Sequence, residues 1–228
     1  MIVFVDYEHP DGRSKPWGTR MLAARTWISY RLEDLSGLHC LLVRYDRITP
    51  ELLDRVDARA VFISGNSVDP GHYVPASLEP LSAIVGEARW PVFGFCGGLQ
   101  LMAYALGAEV APITVGPDLE SLPQVQRGDD GIAREVGYHP VEIVADHPLV
   151  NGIGPTPVVR HAHSLELPQP PVGFTTLAST PITEVQMAVD DDRRMVGTQF
   201  HPEYYTDEHP AGRRMIENFL SWAGIVPC

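Results

Sequence analysis

At 228 residues, 44% hydrophobic and 20% charged, the chain has the length of one domain and the make-up of a protein that buries a real core. It carries 29 acids against 17 bases, a net charge of −12, with no basic run longer than Arg193-Arg194 or Arg213-Arg214; this argues against nucleic acid or an anionic membrane as a direct partner. Three widely spaced cysteines (Cys40, Cys96, Cys228), no charged leader before Ile2-Val3-Phe4-Val5 and no run near the ~18 apolar residues of a membrane span lead to the expectation of a cytoplasmic protein with free thiols.

Ile2–Asp6 reads as a buried first strand, and Tyr7–Thr19, rich in Pro, Gly and charge, as a loop. Apolar residues from Met21 to about Leu35 keep a helical period, stopped by Ser36-Gly37. His39–Tyr45 is a second strand, Glu51–Val56 a short helix and Ala60–Ser64 a third strand ending at Gly65. Leu78–Glu87 is helical, Pro91–Phe95 the fourth strand and Gly98–Leu106 a helix stopped by Gly107. Continuous apolar strands alternating with amphipathic helices predict a mostly parallel sheet covered on both faces, a three-layer α/β/α architecture. Beyond Ala108 the pattern turns to short strands between Pro, Gly and Asp turns (Val141–Val144, Val158-Val159, Phe174–Ala178, Glu184–Val189, Met195–Phe200), a smaller antiparallel region. The chain closes on an amphipathic helix over Ala211–Trp222. The whole, 1–228, is expected to be a single domain.

The chemistry concentrates at Gly94-Phe95-Cys96-Gly97-Gly98, set between a strand and a helix. This is a G-x-C-x-G nucleophile elbow, the thiol counterpart of the turn that presents serine in hydrolases. Glycines are needed where strand and helix nearly touch, and the helix dipole there favours thiolate. Downstream, Gln199-Phe200-His201-Pro202-Glu203 offers His201 as a base and Glu203 as the carboxylate that fixes its tautomer. Cys96, His201 and Glu203 make a thiol acyl-transfer triad the leading expectation. Gly65, at the end of the third strand, and Gly97 are the expected oxyanion N–H donors.

Other constellations have plainer readings. Cys40 sits in an apolar strand as a core residue, and Cys228 as an uninvolved thiol. His161 and His163 in Arg160-His161-Ala162-His163-Ser164-Leu165 could ligate a metal, but two ligands do not make a site, so none is expected. Asp190-Asp191-Asp192 is a solvated hairpin turn, and Gly152-Ile153-Gly154 a loop. The polar stretch Gln124–Arg134 is a candidate docking loop near the site.

Together these motifs resemble the class I (triad) glutamine amidotransferases, whose flavodoxin-like glutaminase domains carry a G-x-C-x-G-x-Q elbow and a distal H-P-E. Here those are Gly94–Gln100 and His201-Pro202-Glu203. Arg160–Leu165 looks like the family's R-Y-H-S-L segment, and Arg134-Glu135-Val136-Gly137-Tyr138 is similar to an R-E-[FY]-G-Y segment of GMP synthetase glutaminase domains. The resemblance implies that Cys96 attacks the side-chain amide of L-glutamine, that Gly65 and Gly97 hold the oxyanion, and that His201 protonates the departing ammonia. It also implies that Gln100, Ser164 and Leu165 hold the amino-acid end, with no cofactor. The loop Ser64-Gly65-Asn66-Ser67 departs from the family's G-G-P or G-P-G, and Tyr7–Thr19 is longer than its counterpart.

Three functions stay open on this reading. One is a glutaminase subunit passing ammonia to a separately encoded synthase. Another is a stand-alone hydrolase of γ-glutamyl amides. The third is a degenerate, non-catalytic interaction module, against which the complete Cys-His-Glu set argues.

Overall fold

Two hydrophobic sets on opposite faces of one sheet organise the chain. The computed structural model describes residues 1–226, so Cys228 lies outside the described residues. In chain order the elements are β1 (Ile2–Asp6), α1 (Pro10–Arg13), α2 (Gly18–Ser36), β2 (Cys40–Arg44), α3 (Pro50–Arg55), β3 (Ala60–Ile63), α4 (Pro75–Glu87), β4 (Val92–Phe95) and α5 (Gly97–Ala105). There follow β5 (Ala111–Pro112), β6 (Val125–Arg127), β7 (Ala133–Pro140), β8 (Glu142–Ile143), β9 (Val158–His163) and β10 (Leu165–Glu166). The series ends with β11 (Thr175–Ser179), β12 (Met187–Asp190), β13 (Met195–Thr198) and α6 (Ala211–Trp222).

The main sheet runs β2-β1-β3-β4-β13-β12-β11-β8. Its first five strands are parallel neighbours. β12, β11 and β8 continue it antiparallel, as the change of pattern after Ala108 predicts. Alternation along each strand sends Val3, Val5 and Val61 to one face, packed on Leu53, Leu81 and Met102 of α3, α4 and α5. Ile2, Phe4 and Phe62 face the other way onto Ile28 of α2 and Met215 and Phe219 of α6. Phe219 alone meets Phe62 and Phe93 with ring centroids 5.4 and 5.1 Å away. Burying one such ring contributes about 1.5–3 kcal/mol, so the three-layer build is driven from both sides.

Three local readings change. Tyr7–Thr19 is not all loop: the His9 side chain accepts from the Asp11 N–H and Pro10 stands at the first helical position, so a single turn, α1, forms inside it. Gln124–Arg134 is not a loop either, but the β6–β7 hairpin of a separate antiparallel ribbon, β6-β7-β9. Its polar side chains masked the alternation, because only one of its faces is covered. The Asp190–Asp192 hairpin exists, yet Asp190 is buried and pairs with Arg193 rather than being solvated.

Candidate active site

Parallel pairing of β1, β3, β4 and β13 brings the loops after their carboxyl ends to one rim, where α/β sheets place their ligands. The rim gathers Ser64–Ser67 after β3, Cys96 after β4, and Gln199–Glu203 after β13.

Cys96 has φ 51° and ψ −103°, a left-handed backbone that costs about 1–3 kcal/mol for a residue with a side chain and is held only by its surroundings. Its N–H donates to the Thr198 carbonyl at 2.6 Å, and its carbonyl accepts from Gln100 N–H at 3.1 Å. The glycines make the turn sterically feasible. A Cβ on Gly94 would lie 2.6 Å from the carbonyl carbon of Gly98, and one on Gly98 would lie 2.5 Å from the Ile63 carbonyl oxygen.

His201 Nδ1 is 2.8 Å from Glu203 Oε1, which leaves Nε2 for the thiol. Both side chains are buried. Burial opposes charge on this imidazole, but the Glu203 carboxylate and Cys96, to which it is hydrogen-bonded, outweigh that and push it up to about 9. Gln199 adds a contact that motif reading did not assign: its buried Nε2 donates to Cys96 Sγ at 3.6 Å. Arg31 of α2, lying over Trp27, donates to the carbonyls of Glu203 and Tyr205 and so anchors the loop that carries the carboxylate.

The loop after β3 is braced from behind. The Gly65 carbonyl accepts from Arg25 Nη2 at 2.7 Å and Ser64 Oγ at 2.8 Å. In a trans peptide the next N–H points the opposite way. The Asn66 N–H is therefore turned toward Gly97 and the cavity, where a Cβ on Gly97 would lie 3.0 Å from Asn66 N. Gly65 itself is required for space, since a Cβ there would lie 2.9 Å from His201 Cε1. Glu8, fully buried, accepts from Ser67 N–H and Oγ at 2.9 Å each. The contacts from Glu8 and Arg25 are not legible locally, because these residues stand 59 and 40 residues from their partners in the loop. Arg25 also donates to Asp6 Oδ1 at 3.0 Å, both side chains being buried. Arg25→Ala is accordingly expected to destabilise the fold by up to about 3 kcal/mol, because it removes the nearer of the two cations facing this buried carboxylate and leaves Arg13 at 3.7 Å; urea denaturation checks this.

Cys96 opens onto a cavity of about 440 Å³ whose lining includes Asn66, Gln100, Ser164 and Leu165. The expected nucleophile and substrate-holding residues thus share one space, with His201 and Glu203 set behind Cys96 rather than in its lining. A second depression of similar size, at Gly152–Val158 and the start of α6, lies apart from all of them. Cys40 is only partly buried, packed against the core rather than in it, and burial pushes its thiol up to about 12. The expected absence of a metal site rested on two histidines alone, but Glu135 joins His161 and His163 across the β7–β9 ribbon. Among the described residues this buried trio is the group able to hold an ion.

Fold and site together define a doubly wound α/β protein with a thiol at a nucleophile elbow, backed by a histidine–carboxylate pair. The family description "Glutamine amidotransferase class-I" matches residues 20–222, and the chain belongs to that family. It is 32% identical over 194 residues to the GMP synthase [glutamine-hydrolyzing] of Thermomicrobium roseum, covering 85% of this chain and 32% of that protein. Against the enzyme of the same name from Phenylobacterium zucineum it is 31% identical over 195 residues, 84% of this chain and 33% of the relative. The chain thus spans about a third of the length of these relatives. Among solved structures, a candidate GMP synthase subunit from Thermoplasma acidophilum superposes with a TM-score of 0.72 at 21% identity, covering 98% of this chain and 94% of that one. The glutaminase domain of Trypanosoma brucei CTPS with bound acivicin gives 0.63 at 16%, again covering 98% and 94%. Both bear out the flavodoxin-like, mostly parallel fold. No helix among the described residues is long and apolar enough to cross a membrane.

Proposed function

We propose that this chain, folded as one domain, hydrolyses the side-chain amide of L-glutamine and passes the ammonia to a separate synthase. The observation that carries the reading is the strained Cys96, hydrogen-bonded to a His201 that Glu203 orients, at the mouth of the cavity bearing Gln100, Ser164 and Leu165. Cys96 thiolate attacks the amide carbon, and the N–H groups of Gly97 and Asn66 receive the oxyanion. His201 gives its Nε2 proton to the nitrogen as the C–N bond breaks, so ammonia leaves and a γ-glutamyl thioester remains. Water, deprotonated by His201, then attacks the thioester; the C–S bond breaks and glutamate departs. Gln100, Ser164 and Leu165 hold the amino-acid end. This assignment keeps Gly97 as a donor and gives Asn66 the place expected for Gly65, whose part is to leave room for His201.

The cavity volume falls within the range that admits ligands larger than a free amino acid. It favours, as the second reading, a γ-glutamyl amide with a bulkier leaving group and no synthase partner. Glutamate release by the purified chain from L-glutamine and from γ-glutamyl-p-nitroanilide separates the two. Preference for glutamine, enhanced by an added synthase, supports the first; preference for the anilide supports the second, and turnover of neither overturns both.

Because the His201 value in the folded chain stands above its ordinary 6.5, its ion pair stabilises the fold fully below about 6.5 and loses that contribution as pH rises through about 9. The same deprotonation removes the proton needed by the leaving ammonia. The expected result is a fall in kcat/KM above about pH 9, checked by a pH–rate profile; a profile flat to pH 10 contradicts the role of His201.

A further inference from the structure

Three buried side chains on the β6-β7-β9 ribbon form a cluster that the proposed chemistry does not use. His161 and His163, two apart on β9, project from the same face of the strand. Antiparallel register sets Glu135 of β7 directly across from His163, and Gly137, which adds no side chain to that face, across from His161. Glu135, His161 and His163 are all buried, and one ligand atom from each lies within 4.8 Å of the others. Phe200, fully buried, stands beside His161 with ring centroids 6.2 Å apart and gives the cluster an apolar wall.

Each member is set up to hold an ion. His163 turns Nδ1 to the Leu165 carbonyl oxygen at 3.1 Å, and a carbonyl only accepts, so a ring hydrogen belongs on Nδ1. Nε2 is then the nitrogen directed at Glu135 Oε2, 3.2 Å away, and it has no hydrogen-bond partner among the described residues. A histidine held through its far nitrogen by a backbone carbonyl is the usual arrangement around a metal. Ligating carboxylates are likewise hydrogen-bonded from outside. Here Thr180 Oγ1 donates to Glu135 Oε1 at 3.1 Å and Gln186 Nε2 to Oε2 at 2.6 Å. Both ring nitrogens of His161 also lack a hydrogen-bond partner among the described residues. Buried nitrogens without partners are costly, and a cation bound through their lone pairs removes that cost.

Spacing and donor set select the ion. Two atoms about 2.1 Å from a tetrahedral zinc ion stand about 3.4 Å apart, close to the 3.2 Å between Nε2 and Oε2. Two imidazoles and a carboxylate suit Zn²⁺, whereas Ca²⁺ and Mg²⁺ take more oxygens than one carboxylate offers. We propose that Glu135, His161 and His163 form a Zn²⁺ site that ties β7 to β9 immediately before Ser164 and Leu165. A water completes the coordination. None of the three ligands has a part in the acyl transfer, so the site stands or falls independently of the reading of the substrate.

The test uses the full chain and needs no turnover. After treatment with EDTA and removal of the chelator, one equivalent of added Zn²⁺ is expected to stay with the protein through gel filtration, measured by elemental analysis. The bound ion should raise the melting temperature by several degrees. Co²⁺ in its place should give the intense visible bands of a four-coordinate site. Loss of a residue that merely supports a ligand weakens metal binding by about 10–100-fold, so His161→Ala and His163→Ala should each weaken it by about 100-fold or more. His147→Ala, which removes the histidine beside Asp191, should keep the full equivalent. Where a ligand variant does not fold, zinc X-ray absorption of the wild-type chain decides, with two imidazoles expected around the ion. Failure of the wild type to retain Zn²⁺ overturns the proposal. A full equivalent kept by either ligand variant, or an absorption spectrum without imidazoles, does so too.

Discussion

Cys96→Ala is expected to abolish hydrolysis of both glutamine and γ-glutamyl-p-nitroanilide, by about 10⁴-fold or more, while leaving the fold intact. Loss of a triad nucleophile typically removes nearly all the rate gained by the triad, and what remains comes from the oxyanion donors and from binding. The stability expectation follows from the backbone. Cys96 holds φ 51° whatever its side chain, so alanine inherits the same strain, and the 2.6 Å bond from its N–H to the Thr198 carbonyl remains. The variant should melt within a few degrees of wild type and still bind glutamine. Substantial residual turnover would remove Cys96 from the mechanism and leave the interaction-module reading standing.

Gly98→Ala is the second large effect, and it is a folding effect before it is a catalytic one. The added Cβ would meet the Ile63 carbonyl oxygen at 2.5 Å and the Ile63 carbonyl carbon at 3.1 Å. Both are backbone atoms of a central strand, which cannot rotate away as a side chain would. Overpacking usually costs about 1–3 kcal/mol when side chains can shift; here the cost should reach or exceed the top of that range. Gly86→Ala is the control, because its Cβ would meet nothing within 4 Å on an exposed part of α4. There the expected outcome is unchanged stability or a gain of up to about 1 kcal/mol. Urea midpoints for the two variants check both; equal midpoints would show that the elbow is not closed as described.

The alternation of strands and helices, and the layered class it implies, were legible from residue order alone. Burial on both faces of the sheet makes Val3–Val5, Val61–Ile63 and Val92–Phe95 continuous apolar runs, whereas one-sided packing gives the helices between them their period. The elbow and Gln199–Glu203 were equally legible, because each packs its chemistry into a few consecutive residues. The close approaches at Gly94 and Gly98 leave glycine as the residue that fits. The tertiary structure alone decided the rest. Which way the Gly65–Asn66 peptide plane turns is set by Arg25 from α2 acting together with the neighbouring Ser64 hydroxyl. The buried partner of His163 is Glu135, 28 residues earlier in the chain and brought opposite by strand register. Nothing in their sequence neighbourhood marks Glu8 or Arg31: the fold buries one beneath Ser67 and lays the other against the Glu203 carbonyl. Hydrophobic period is a local property of sequence, whereas hydrogen-bond partners of buried charges are fixed by distant packing.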